Sequence, residues 1–114
     1  MSLDPVLTNP DHYRPIFENE HVRVLEYTDV PGDVTTPHDH PDSLMYTVSS
    51  FRRRLVADGS SRDVDLPAGR ALWLAAQHHH GENIGDTPTH VILVELKHPA
   101  DGAASPEAVP LGPS

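Results

Sequence analysis

Residues 32–41 read GDVTTPHDHP, so His38 and His40 are separated by one residue and lie between two prolines. A proline disfavours the helical conformation in the residue before it, and both Thr36 and His40 precede a proline. In an extended strand, residues two apart point to the same face. The stretch therefore predicts a strand that carries two imidazoles side by side.

A second group of histidines, His78, His79 and His80, follows further along the chain. Nine of the 114 residues are histidine, and five of the nine fall in these two groups. One imidazole from the triplet would join His38 and His40 to complete one side of a metal coordination sphere. Alternation along a strand places His79 on one face and His78 and His80 on the other. A shift of one residue in the strand pairing would therefore replace His79 with His78 or His80 as the third ligand.

The rest of the sequence is typical of an all-β protein. No window of about 11 residues shows the helical period of about 3.6, and Asp58-Gly59 is a typical hairpin turn because both positions tolerate a positive φ. Apolar residues instead occur in six short bursts, which we interpret as antiparallel strands. These bursts comprise residues 13–17, 22–30, 44–48, 51–56, 71–76 and 91–96.

The length of the chain is sufficient for one domain and too small for two. Residues 99–114 are mostly proline, alanine, glycine and serine, and they contain little apolar surface to bury. We therefore predict a single β-barrel domain at residues 9–98 and a flexible C-terminal tail at residues 99–114.

The composition argues against several classes of partner. Acidic residues outnumber basic ones 17 to 8, and the net charge of −9 would repel nucleic acid and anionic membranes. The sequence shows no apolar stretch long enough to span a membrane and no signal peptide, so we predict a cytoplasmic protein. Only 37% of the residues are hydrophobic, which is little for a core and favours a homodimer. Because there is no cysteine, thiolate chemistry is excluded.

The frame around both histidine groups resembles the two sequence motifs of the cupin family. The pattern Gly-(x5)-His-x-His, which begins here at Gly32, opens the first motif, and the spacing of His79 and Asn83 matches the His-(x3)-Asn of the second. The resemblance covers roughly residues 13–97. It implies an all-β, single-domain cupin jelly-roll barrel with a metal site.

The first motif departs from the family pattern at one position. Cupins of this pattern have a glutamate ligand where this chain has Leu44 or Met45. The resemblance therefore implies a reduced ligand set of His38, His40 and His79. His80 is the alternative third ligand.

Four shorter stretches give a narrower resemblance, to small bacterial cupins associated with beta-alanine degradation. That association names a pathway and no particular reaction. The matching stretches are HPDS at residues 40–43, SFRRR at 50–54, ENIGD at 82–86 and VELK at 94–97.

Three neutral imidazoles would leave a divalent metal with its full charge, so such a site attracts anionic, chelating ligands. Imidazole suits zinc, copper, iron and nickel alike, so the sequence does not select the metal, and we take iron, zinc, nickel and manganese as the candidates. We therefore predict one divalent metal ion and a small anionic metabolite as partner.

Two further residues are candidates for substrate positioning or catalysis. Alternation separates Arg53 from Arg52 and Arg54, and an inward-facing guanidinium could hold a carboxylate. The alternative is that these arginines cover the outer sheet or pair with nearby acids. Tyr46 could supply a hydroxyl near the metal, or it could simply pack in the core. Glu82 could accept a hydrogen bond from His79.

Three functional hypotheses follow from this sequence. The first is a three-His, metal-dependent enzyme of the dioxygenase type that acts on a small anionic metabolite. The second is a non-catalytic module that binds a small molecule or a metal. The third is a structural cupin without metal. The lost glutamate favours the second and third, whereas the retained histidine spacing favours the first.

Overall fold

The structure of the protein is a computed structural model, and it describes residues 4–97 of the 114-residue sequence. Within these residues, one short helix precedes nine strands. The elements, in chain order, are α1 (Pro5–Thr8), β1 (Tyr13–Glu18), β2 (Val22–Asp29), β3 (His38–His40), β4 (Ser43–Thr47), β5 (Phe51–Ala57), β6 (Ser60–Leu66), β7 (Ala71–Leu74), β8 (Gln77–Asn83) and β9 (Thr89–Leu96). The tail predicted at residues 99–114 lies outside the described residues.

The strands form two antiparallel sheets. The first sheet has five strands in the order β1-β2-β9-β4-β7, and the second has four in the order β3-β8-β5-β6. Several neighbours, such as β2 and β9, are distant in the chain, and such long connections are typical of a jelly roll. The architecture confirms the predicted all-β class.

All six predicted strands are present, as β1, β2, β4, β5, β7 and β9, with ends that differ by at most two residues. The two histidine stretches form β3 and β8. Strand β6 is absent from the predicted set because Val64 and Leu66 are its only apolar residues. It pairs with β5 through the predicted hairpin turn, where Asp58 and Gly59 have φ angles of 52° and 77°.

Helix α1 is too short to show a helical pattern in the sequence. A carboxylate oxygen of Asp4 caps it by accepting a hydrogen bond from the backbone N–H of Val6 at 2.9 Å, and Pro5 begins it. The helix precedes residue 9, where we place the start of the domain. Val6 packs against the core, so the helix is joined to the barrel.

The interior of the barrel is unusually polar. In the described range, residues 4–97, eleven buried residues are polar or charged, against six in the apolar core, so hydrogen bonds and ion pairs must compensate much of the burial. The core residues are Tyr13, Leu25, Tyr27, Phe51, Val91 and Leu93.

The outer face of the first sheet exposes large apolar side chains. Leu44 lies opposite Trp73 in the sheet, and their exposed fractions are 42% and 57%. Trp73, the only tryptophan, is therefore not a core residue. No helix within residues 4–97 is long and apolar enough to cross a membrane.

Candidate metal centre

The antiparallel pairing of β3 with β8 brings the two histidine stretches together. His38 lies directly opposite His79, and His40 lies opposite Gln77. The rings of the three histidines are 4.8–5.0 Å apart between centroids, and one ligand nitrogen from each lies within 4.8 Å of the other two. The structure thus assembles the three predicted ligands.

The strand register distinguishes His79 from its neighbours in the triplet. His78 points to the other face of β8, where its Nδ1 is 2.6 Å from a carboxylate oxygen of Asp39. His80 has the same parity as His78 and lies opposite Val56 of β5. Among residues 4–97, the one group of three or more potential ligands is His38, His40 and His79.

Hydrogen bonds at the Nδ1 atoms of His38 and His40 orient the two rings so that their Nε2 atoms face the point where the three histidines converge. Nδ1 of His38 is 2.6 Å from the carbonyl oxygen of Thr36, and Nδ1 of His40 is 3.2 Å from Oε2 of Glu95. Both partners are acceptors, so each Nδ1 carries the proton in the neutral ring. The lone pair of each Nε2 is then available at the centre.

Burial keeps two of the rings uncharged. It lowers the pKa of His38 to about 4, although the hydrogen bond to Thr36 raises it. Burial, reinforced by the nearby His40 and His38, lowers the pKa of His79 to about 3. Neutral imidazole is the form that binds metal, so these rings need lose no proton to do so at neutral pH.

Two features of the centre fit a cation. Nδ1 of His79 is buried and has no hydrogen-bond partner within the described residues. The hydroxyl of Tyr13 is 3.2 Å from Nε2 of both His38 and His40, yet it has one proton for two acceptor nitrogens. A divalent metal ion at this point would satisfy the lone pairs that the protein leaves without a donor.

A buried carboxylate supports the centre from β9. Glu95 is 3% exposed, and besides His40 it contacts Arg23, whose Nη2 is 2.8 Å from Oε1. Arg23 also binds Asp4, with Nη1 2.9 Å from Oδ2. The ion pairs hold the Glu95 carboxylate in place, and Asp4 connects this support to helix α1.

A second support reaches His38 from the N-terminal segment. The side chain of Asn9, which is 6% exposed, accepts a hydrogen bond from the backbone N–H of Thr36 at 2.8 Å. It also donates to the Thr36 carbonyl at 3.2 Å. This pair of bonds fixes the backbone group to which His38 donates.

Sequence reasoning missed Tyr13 and Glu95. Glu95 had one detectable signal, because it is a carboxylate within an apolar strand, although the unbroken apolar run at residues 91–94 does not show which face of that strand is inner. A carboxylate at such a position predicts a buried partner. Tyr13 gave no signal beyond that of a core aromatic.

A cavity of about 360 Å³ lies between the sheets beside the histidines. Arg53 is in its wall and is 8% exposed, so the inward-facing arginine of the three is Arg53. Its Nη1 binds Asp29, and its guanidinium lies 5.1 Å from the centre of the Tyr27 ring. Arg52 and Arg54 face outwards and pair with Asp63.

The arginine in the cavity wall retains donors for a ligand. Within residues 4–97, the Nη2 group of Arg53 has no hydrogen-bond acceptor. Gly81 makes room for this group, since a Cβ there would lie 2.8 Å from Nη2. The pKa of Arg53 is raised despite its burial, because Tyr27 and Asp29 favour its charged form.

The structure does not bring Tyr46 to the centre. Ser43, Met45 and Thr47 point inwards from β4, so Tyr46 lies on the outer face with 47% exposure. Of the two positions at which the first cupin motif would have its glutamate, Met45 lines the cavity and Leu44 lies on the outer face. Glu82 has the opposite parity to His79 on β8, and no hydrogen bond joins the two in the described chain.

Comparison with known proteins identifies the fold. No family model matches the sequence, and no curated protein matches it. Among solved structures, a cupin domain from Bordetella pertussis Tohama I is 24% identical with a TM-score of 0.69, over 76% of this chain and 95% of that one.

Two further structures have the same architecture. An RmlC-like cupin family protein with a double-stranded β-helix fold from Methanocaldococcus jannaschii is 13% identical with a TM-score of 0.61, over 75% of this chain and 79% of that one. A Cupin 2 conserved barrel domain protein from Salinispora arenicola is 20% identical with a TM-score of 0.54, over 72% and 71%. The protein therefore has the cupin double-stranded β-helix fold, with a three-histidine cluster that could hold a metal ion.

The lowered pKa values of His38 and His79 predict an acid-sensitive metal-free protein. Both rings gain protons on unfolding below about pH 6.5, so the free energy of unfolding should decrease as the pH falls from 7 to 5. We expect a loss of about 1–2 kcal/mol for each ring, measured by urea denaturation with a chelator present. A flat profile would contradict the prediction.

The contact between Glu95 and His40 predicts that the carboxylate charge strengthens metal binding. Glu95→Gln preserves the shape of the side chain but removes its charge, so we expect the affinity for zinc to fall about 10–100-fold. A competition titration with a chromophoric chelator measures this. Glu18→Gln, at an exposed residue that pairs with Lys97, is the matched control. An unchanged affinity in Glu95→Gln would show that the contact does not act on the metal.

Proposed function

We propose that the protein binds one divalent metal ion through His38, His40 and His79 and acts as a metal-dependent enzyme of the dioxygenase type. The observation that carries the proposal is the convergence of three imidazoles, one of which has a buried ring nitrogen without a partner. The metal, when bound, would polarise a chelating anion and, if it is iron, supply electrons to dioxygen. The metal could be iron, zinc, nickel or manganese.

The substrate that best suits the cavity is a small anionic metabolite. Arg53 can donate from Nη2 to a carboxylate, although Asp29 balances its charge. Arg62 of β6 also lines the cavity and has no ion-pair partner within the described residues. A carboxylate held by these two groups would lie in the same cavity as the metal. Met45 and Leu93, also in the cavity wall, would limit the access of water.

The metal-binding step is tested by replacing each histidine of both groups with alanine. We expect the wild-type protein to bind about one metal ion per chain, and His38→Ala, His40→Ala and His79→Ala to bind almost none, because two imidazoles make a weak site. His78→Ala and His80→Ala are matched controls from the same strand and should retain the metal. Elemental analysis after dialysis against iron, zinc, nickel or manganese measures the content.

Trace metal in the wild-type protein after every dialysis would contradict the proposed function. Loss of metal in His78→Ala or His80→Ala, with retention in His79→Ala, would assign the third ligand differently. Circular dichroism must show that the wild-type protein and each histidine variant are folded.

The substrate proposal is tested with Arg62. The iron-loaded protein should consume dioxygen with a β-dicarbonyl or thiol carboxylic acid, measured with an oxygen electrode. Arg62→Gln should raise KM about tenfold and change kcat less, since it removes a charged hydrogen bond to the bound substrate. Arg70→Gln, at an exposed loop residue that does not line the cavity, is the control. An equal KM in the wild type and Arg62→Gln would exclude this role.

A second candidate function is a non-catalytic module that binds a small molecule or a metal. The lost glutamate favours it, because both positions where the first cupin motif could have that ligand, Leu44 and Met45, are apolar. Bound zinc without turnover would support it, and iron with dioxygen consumption would support the enzyme. The resemblance to cupins associated with beta-alanine degradation stays a prediction.

The homodimer and the cytoplasmic location also stay predictions. The exposed apolar side chains of Leu44, Tyr46 and Trp73 provide one outer face on which a second copy could pack. No nucleic acid or membrane is expected to bind a chain with a net charge of −9.

A further inference from the structure

The hydroxyl of Tyr13 lies where the two imidazoles of β3 converge. Its oxygen is 3.2 Å from Nε2 of His38 and 3.2 Å from Nε2 of His40. The side chain is buried, with an exposed fraction of 7%. No other hydrogen bond of this hydroxyl occurs in the described part of the chain.

These two distances match the spacing between ligands of one metal ion. Ligand atoms at about 2.0–2.1 Å from a metal are separated by about 2.9–3.4 Å along the edge of an octahedron or a tetrahedron. The phenol oxygen therefore lies at ligand-to-ligand distance from two of the three predicted ligand nitrogens. Nδ1 carries the ring proton of both histidines, so both Nε2 atoms are acceptors, and the single proton of the phenol can satisfy only one of them.

We propose that Tyr13 is the fourth protein ligand of the metal, and this rests on the proposed metal site at the three histidines. Coordination forms a bond between the phenol oxygen and the metal, and the phenol proton passes to solvent. The resulting phenolate removes one unit of the metal's positive charge. It thus replaces the charge of the glutamate that is absent at Leu44 and Met45.

The surroundings of Tyr13 hold the ring in this position. Its backbone N–H donates to the carbonyl oxygen of Asn9 at 3.0 Å, and its ring lies 4.7 Å from that of Tyr27, its partner across β1 and β2. If the metal were six-coordinate, three imidazoles and one phenolate would leave two positions for other ligands. Two positions accommodate a chelating anion, which is the class of substrate proposed above.

The proposal is tested by visible spectroscopy of the protein loaded with ferric iron. A phenolate bound to ferric iron gives an intense visible charge-transfer band, and the absence of cysteine means that no thiolate can produce one. The wild-type protein should show the band, and Tyr13→Phe should lose it and bind zinc about 10–100-fold more weakly. Tyr46→Phe, on the outer face, should keep the band.

A second variant assigns the band without changing Tyr13. The chain has three tyrosines, so Tyr27→Phe/Tyr46→Phe leaves Tyr13 as the only one. Asp29 keeps its bonds from Arg53 and Asn83 when the Tyr27 hydroxyl is removed. Retention of the band, with tyrosinate vibrations in its resonance Raman spectrum, would support the proposal even if Tyr13→Phe failed to fold.

The outcomes separate this inference from the proposed function. Stoichiometric ferric iron without a band, or a band that persists in folded Tyr13→Phe, would overturn the assignment of Tyr13 and leave the three-His site intact. Failure of the wild-type protein to bind iron, zinc, nickel or manganese would overturn the metal site itself. Elemental analysis of each sample distinguishes the two results.

Discussion

The antiparallel pairing of β3 with β8 is the constraint on which the candidate site depends. The pairing places His38 opposite His79, and a shift of one residue would present His78 or His80 instead. Strand β3 has only three residues, so contacts at its ends and on its outer face must fix the register. The backbone N–H of Thr35 donates to the carbonyl of Gly81 at 2.9 Å, and the hydroxyl of Thr35 accepts from the N–H of Gly81 at 2.9 Å.

The same barrel supports its centre with buried charge rather than with a large apolar core. The buried Arg53 pairs with Asp29, and the half-buried Arg23 pairs with Glu95, so each of these cations faces a carboxylate. Such pairs add little net stability, because the loss of hydration offsets most of their attraction. Their value here is positional: the first pair orients a guanidinium at the cavity, and the second holds the carboxylate that contacts His40.

Local patterns predicted most of the fold and the three histidines, because each of those predictions uses residues close together in the chain. Side chains that contact the histidines from strands distant in the chain were not predictable, because their positions depend on how those strands pair. Glu95 reaches His40 only because β9 lies beside β4 in the first sheet, and Tyr13 reaches both histidines only because the two sheets face each other. The sequence also did not show that Tyr46 lies away from the histidines. Pro41 and Asp42 interrupt the alternation between β3 and β4, so the inward positions change from even to odd residue numbers.

The N-terminal segment has a role that the two cupin-like motifs do not reveal. Asp4 binds Arg23, and Asn9 binds Thr36, so residues ahead of the first strand brace groups that contact His40 and His38. A shorter chain begun at residue 10 would contain all three histidines but would lose both braces. Truncations that remove residues 4–9 consequently alter the rigidity of the centre, even though they leave every motif residue in place.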